Sequence, residues 1–285
     1  MPKVAVVTDS TAYFPENMLR GLPVYSLPLQ VIWGEEIYRD GVDITPQEFY
    51  TRLPESKIMP STSQVTPVQF RDLYSRLLDE GNQIISIHIS GKLSGTLDSA
   101  VQAKAGFENA AIELFDSQSS SMAMGFMVLA VARAAANGAT LKDCLAIAEK
   151  ARASTDVFFA VSTLEFLHRG GRIGGAQAFL GTALGLKPIL KVQDGRVEAV
   201  EKIRTMNKAV DRLSELVLSR MNGHRPIRLA ALHANAPIEA RMLLERVQSK
   251  FSVLEVQEAV VAELSPVIGT HTGPGTVGLA YMVGM

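Results

Sequence analysis

Short apolar runs and longer amphipathic stretches take turns from the first residues onward. Lys3–Thr8 and Val24–Trp33 read as buried strands. Thr45-Pro46-Gln47-Glu48 joins a hydroxyl cap, a proline suited to the first helical position and a glutamate three residues on, which predicts a helix through Phe49 and Tyr50. Thr66-Pro67-Val68-Gln69 repeats the signature and opens a helix closing near Gly81. Strand Gln83–Ile89, a polar loop, a helix from about Gly95 and strand Ala111–Phe115 follow. Ser119–Asn137 is apolar nearly all round, as a helix buried on several sides must be, and Thr140 caps a further helix to about Ala153. Strand and helix in repeated succession predict a doubly wound, mainly parallel sheet.

The rhythm changes near residue 156. Asp156–Ser162 reads as a strand, and Leu164–Leu190 is glycine-rich with helical apolar spacing. Ile189–Val192 and Arg196–Ile203 flank Asp194-Gly195, a pair suited to a tight hairpin turn. Helix Asn207–Met221, strand Ile227–His233, helix Pro237–Phe251, strand Val253–Val261 and strand Val277–Val283 complete the chain. The expectation is α/β throughout: a domain over 1–155 with the doubly wound sheet and a second over 156–285 with a mixed sheet.

Composition narrows the function classes. Over 285 residues, 47% are hydrophobic and 20% charged, with a formal net charge of −1, so no electrostatic footprint for nucleic acid exists. The single cysteine, Cys144, excludes an internal disulfide and fits a packing position in a reducing cytoplasm. The most apolar window, Met122–Ala132, ends at Arg133, short of the roughly 20 residues that span a bilayer. A cytoplasmic protein without stable membrane insertion is expected.

Candidate chemistry sits in polar segments at or just beyond strand ends, where open α/β sheets place ligands. These are Thr8-Asp9-Ser10, Pro60-Ser61-Thr62-Ser63-Gln64, Ser90–Thr96 and Asp116-Ser117. Each alone reads as a capped turn; together they offer many hydroxyl and N–H donors to an anion. Nucleotide signatures are absent: Gly91-Lys92 is followed by Leu93 rather than Ser or Thr, and no G-x-G-x-x-G follows the first strand. The five histidines show no metal-ligand spacing. A serine hydrolase using Ser94, with His271 or His88 as base, is the competing reading.

Gly269-Thr270-His271-Thr272-Gly273-Pro274-Gly275 reads as a glycine–proline turn, and His168-Arg169-Gly170-Gly171-Arg172 as a flexible frame holding two arginines. TDST at 8–11, DGVDI at 40–44, TSQ at 62–64, SGKLSGT at 90–96, GGRI at 170–173, LKPIL at 186–190, IRT at 203–205 and HTGPG at 271–275 run in order along the chain. This ordered set resembles the DegV family.

The resemblance implies two α/β domains with one long-chain fatty acid between them and no other cofactor. It implies a subunit without catalysis of its own, which presents the acid to a separate ATP-binding kinase subunit for acyl-phosphate formation in phospholipid synthesis. By match of motif, Thr62, Ser63, Ser94 and His271 resemble the carboxylate-contacting groups. Arg172 resembles a supporting arginine, and Arg204 one that serves phosphoryl transfer or the kinase partner. His168-Arg169 departs from the lysine pair frequent in the family, Val65 from a proline and Tyr13 from an aspartate.

The tail requires apolar walls. Met122, Met124, Phe126, Met127, Phe166, Phe179 and Leu184 are available, and the small residues of 181–185 allow close approach.

Overall fold

Three threonine caps set the helix starts as the sequence indicates. The computed structural model describes residues 2–15, 17–181, 185–221 and 223–285. The first half runs β1 (Val4–Asp9), β2 (Val24–Leu27), β3 (Gln30–Trp33), β4 (Glu36–Arg39), α1 (Pro46–Arg52), β5 (Ser61–Ser63) and α2 (Pro67–Asp79). It continues through β6 (Gln83–His88), α3 (Thr96–Lys104), β7 (Ile112–Asp116), α4 (Ser121–Ala136) and α5 (Leu141–Ala153). Thr45, Thr66 and Thr140 each close a reciprocal capping box, at α1, α2 and α5.

The second half begins with β8 (Thr155–Ala160), α6 (Glu165–Arg169), β9 (Lys187–Gln193) and β10 (Arg196–Ile203). It ends with α7 (Met206–Arg220), β11 (Ile227–His233), α8 (Pro237–Gln248), β12 (Val256–Glu263), α9 (Pro266–Thr272) and β13 (Val277–Val283). The turn joining β9 to β10 has positive φ at both Asp194 and Gly195, the backbone such a hairpin needs.

The strands form an all-parallel sheet in the order β2-β1-β6-β7 and a mixed sheet in the order β10-β9-β8-β13-β11-β12. A small antiparallel sheet, β4-β3-β5, lies beside them. Val24–Trp33 is therefore not one strand. The chain breaks at Pro28, which has no N–H to give a ladder, and β2 joins the parallel sheet while β3 joins the antiparallel one. Helices α2 and α3 cover one face of the parallel sheet, and α7 and α8 cover one face of the mixed sheet.

Helix α4 lies between the two sheets, packed on β1 and β6 on one side and on β8, β11 and β13 on the other. Eleven of its residues, Ser121 through Leu129 with Val131 and Ala132, are buried. That is why this segment lacks a polar stripe. The largest apolar core passes through α4 from Val4, Ile84 and Phe126 to Val157, Leu232 and Ala280, so the two sheets share it. Cys144 is part of this packing. Among the described residues, no helix is long and apolar enough to cross a membrane.

Candidate functional site

Alternation along β8 directs Phe158 and Ala160 into the core beneath α7 and α8 and turns Val157 and Phe159 to the opposite face. Across that face Phe159 pairs with Gly278 of β13, and Gly278 pairs with Leu232 of β11. Position 278 has no room for a side chain, since a Cβ there would lie 2.8 Å from both Phe159 Cβ and Phe158 O. Over it lies an inner cavity of about 900 Å³, its mouth included.

Its apolar walls come one or two residues at a time from many elements. Ile89 and Leu93 follow β6, Val192 and Val197 face each other on β9 and β10, and Val267 and Ile268 belong to α9. The methionines and phenylalanines expected as walls lie elsewhere. Met122, Met124, Phe126 and Met127 are core residues of α4, Phe166 borders a second cavity, and Phe179 takes the Lys202 ammonium over its ring. They are consumed by helix packing, which spacing alone does not separate from a ligand wall. Leu184 lies outside the described residues.

Thr62, Ser63, Ser94, Arg172 and His271 all line this one cavity. Thr62 and Ser63 stand on β5, held by pairing with Val31 and Gln30 of β3. Ser94 precedes α3, and its hydroxyl lies 2.9 Å from that of Thr96. Its loop is braced from the other half of the chain. Ser90 Oγ donates to Gly195 O at 2.8 Å, Lys92 Nζ to Asp194 O at 2.8 Å, and Arg172 Nε to Leu93 O at 3.1 Å. His271 lies in the last turn of α9, with Nε2 at 2.8 Å from Thr62 Oγ1.

Burial pushes His271 down to about 4, with the Arg172 charge adding to the effect, so its imidazole is neutral near pH 7. Its Nδ1 is buried without a hydrogen-bond partner, against the Cα of Gly170. Arg172 Nη1 donates to Gly170 O at 2.6 Å. No carboxylate pairs with Arg172 among the described residues. Arg204 stands apart: it is exposed, between β10 and α7, and lines neither this cavity nor the second one.

Several lining residues were not assigned a role from the sequence, although Gln64 and Thr272 fall within segments it singled out. Gln64, Ser120, Ser121, Thr272 and Thr276 also line the inner cavity. Helix α9 was expected as a turn, although Ser265-Pro266 is the same cap-and-proline signal that opens α1 and α2; the Ser265 hydroxyl accepts from Ile268 N. The glycines around His271 masked it. Strand β5 was missed because Ser-Thr-Ser carries no apolar alternation.

Asp40 docks α9. Its buried carboxylate accepts from the Ser10 hydroxyl at 2.6 Å, from the Ser265 hydroxyl and from Val267 N. Tyr50 adds a hydrogen bond to Leu264 O at 3.0 Å. Asp9 accepts from Thr11 N and Ile89 N, and Asp116 from Gln118 N, so the strand-end aspartates cap turns. No cluster of His, Cys, Asp or Glu suited to a metal exists among the described residues.

The hydrolase alternative is not supported. His271 Nε2 is engaged by Thr62 rather than Ser94, and its other ring nitrogen has no orienting acid. His88 is wholly buried between Asp9, at 3.0 Å, and Ser86, at 2.6 Å, out of substrate reach.

Fold and site together define an α/β protein built around an apolar cavity with a cluster of polar donors. The DegV family model, described as an uncharacterised protein family, matches residues 3–283. A DegV domain-containing protein of Streptomyces coelicolor is 39% identical over 277 residues, covering 97% of each chain. The solved structure of a DegV family protein from Thermus thermophilus, described by its fatty acid binding, is 40% identical with a TM-score of 0.93 over 99% of each chain. DegV of Bacillus subtilis, described as a fatty acid binding protein, is 35% identical with a TM-score of 0.89, over 99% of this chain and 100% of its own. The present chain belongs to the DegV family.

Proposed function

We propose that this chain encloses one long-chain fatty acid in the inner cavity and presents its carboxylate to a separate ATP-binding kinase subunit, which converts it to an acyl phosphate. One observation carries the reading. A single cavity has aliphatic walls and also gathers Thr62, Ser63, Ser94, Arg172 and His271 from distant parts of the chain. The fatty acid binding described for the Thermus and Bacillus proteins supports it.

Each buried methylene contributes about 0.8 kcal/mol, so a chain of many carbons offsets the cost of confining it. The carboxylate loses water and needs donors in exchange. With the His271 proton on Nε2, the ring donates to Thr62 Oγ1, and the Thr62 hydroxyl is free to donate its own proton to the ligand. The opposite tautomer would bury an Nδ1–H without an acceptor, the costlier choice. Ser63 and Ser94 supply further neutral donors, and Arg172 supplies the charge. Hydroxyl donors hold the acid while leaving an oxygen nucleophilic enough to attack a nucleotide phosphate.

In this reading the chain catalyses no step itself, works in the cytoplasm, and divides into units 1–155 and 156–285 with the ligand between them. Arg204 faces the kinase subunit. Denaturation of the purified protein, solvent extraction and mass spectrometry test the reading. One fatty acid per chain is expected; absence of any, with no uptake of added palmitic acid, would reject it.

A further inference from the structure

The inner cavity has a second group of polar atoms, contributed by the opening of α4 rather than by β5 and α9. Ser120 and Ser121 both line it, and neither hydroxyl has a hydrogen-bond partner among the described residues. Ser121 is only 6% exposed. Buried hydroxyls are costly to leave unpaired and are normally bonded. We propose, on the fatty-acid reading above, that the ligand is a hydroxy fatty acid, whose chain hydroxyl bonds to Ser120 and Ser121 while its carboxylate keeps the donors already described.

The local backbone suits an oxygen. The first intrahelical bond of α4 runs from Met124 N to Ser120 O, so the N–H groups of Ser121, Met122 and Ala123 have no acceptor within the helix. Over sixteen residues the helix dipole adds partial positive charge at this end, which favours a lone pair. Ser120 holds the N-cap position, yet its side chain caps nothing and stays available. Ser121 has a φ of +54°, a conformation seldom adopted by a residue with a side chain. The turn leading to it is pinned: Ser119 O accepts from Ser90 N at 2.9 Å and from Ser117 Oγ at 3.2 Å.

The aliphatic walls Leu29, Val157, Leu232 and Leu264 offer an oxygen nothing. A plain hydrocarbon chain would likewise leave both serine hydroxyls facing methylenes. A hydroxyl on the chain answers both, donating to one serine and accepting from the other. Arg172 is the one charged side chain lining the cavity among the described residues, so a neutral group fits here better than a second acid.

The test titrates the protein with stearic acid and with its 3-, 7-, 10- and 12-hydroxy derivatives. The isomer whose oxygen reaches the serines should bind wild type at least as tightly as stearic acid. Isomers that place the hydroxyl among aliphatic walls should bind about tenfold more weakly or worse. Ser121→Ala should lower the preference for the favoured isomer over stearic acid about tenfold. Ser121→Gly removes the same hydroxyl at a φ that glycine adopts freely, so it should do the same and guards against misfolding of the alanine variant. Every isomer weaker than stearic acid, a preference that survives in both variants, or an equal loss of stearic acid and isomer would each overturn the proposal. If neither stearic acid nor any isomer binds wild type, the fatty-acid reading itself fails, and the proposal with it.

Discussion

Thr62 Oγ1 and His271 Nε2 lie 2.8 Å apart although 209 positions separate them in sequence. Strand β5 supplies one and the last turn of α9 the other, so the pair exists only when both elements are docked. A hydrogen bond of this kind contributes about 1 kcal/mol. Thr62→Val is expected to weaken palmitic acid binding about five- to tenfold, and Thr62→Ser to restore most of it. His271→Gln should weaken binding similarly, and the double variant should be little worse than the poorer single one. Calorimetric titration of the wild type and the four variants checks this; fully additive losses would mean the two residues act separately.

Two adjacent glycines should respond differently. A methyl group at Gly170 would sit 2.1 Å from His271 Nδ1, whereas one at Gly171 meets nothing within 4 Å but carries a φ of +70°. Gly170→Ala is expected to displace the imidazole and reduce fatty acid affinity tenfold or more. Gly171→Ala should cost about 1 kcal/mol of stability through backbone strain and leave affinity nearly unchanged. Denaturation curves and binding isotherms on the pair separate the two effects.

Asp40 gives stability a pH dependence. Burial is the main cause pushing its carboxyl up to about 7, against an ordinary value near 3.8; the nearby Asp9 charge adds to the effect, and the Ser10, Ser265 and Val267 donors oppose it. Tyr13 and Tyr50 also face it, and neither is a cation. The folded state therefore holds this proton more tightly than the unfolded chain. The resulting stabilisation is complete below about pH 4 and is lost as pH rises through 7. Asp40→Asn removes the titration, so the variant should gain on the wild type across that window, by at most about 4 kcal/mol. Urea denaturation of both proteins at several pH values measures the difference; a gap that stays constant with pH would show that Asp40 keeps an ordinary value.

Aliphatic walls set how affinity depends on chain length. Each added methylene should tighten binding about fourfold, following from about 0.8 kcal/mol per group, until the cavity is filled. A series of saturated acids measured by competition gives the slope and the break. A flat series would place the tail in solvent.

Much of the fold is written locally. Ile227–His233 and Val277–Val283 emerge with the bounds that their apolar runs suggest, and the capping threonines fix three helices. Thr62, Ser63, Ser94 and His271 stand out through their motifs, and the structure brings all four to the lining of one cavity. The walls were not legible. Leu29, Phe159, Val197, Leu232 and Leu264 each belong to a different segment, and no periodicity links them. Such a cavity arises from three-dimensional packing, and the glycine at 278 has meaning only once Phe159 is known to crowd it.

A crystal structure of the protein with palmitic acid would be the most decisive measurement. A carboxyl oxygen within hydrogen-bonding distance of Thr62 Oγ1 and Ser94 Oγ, with the chain running inward over Gly278 and Leu232, is expected. A hydrocarbon tail outside the inner cavity, or a carboxylate remote from Thr62 and Ser94, would contradict it.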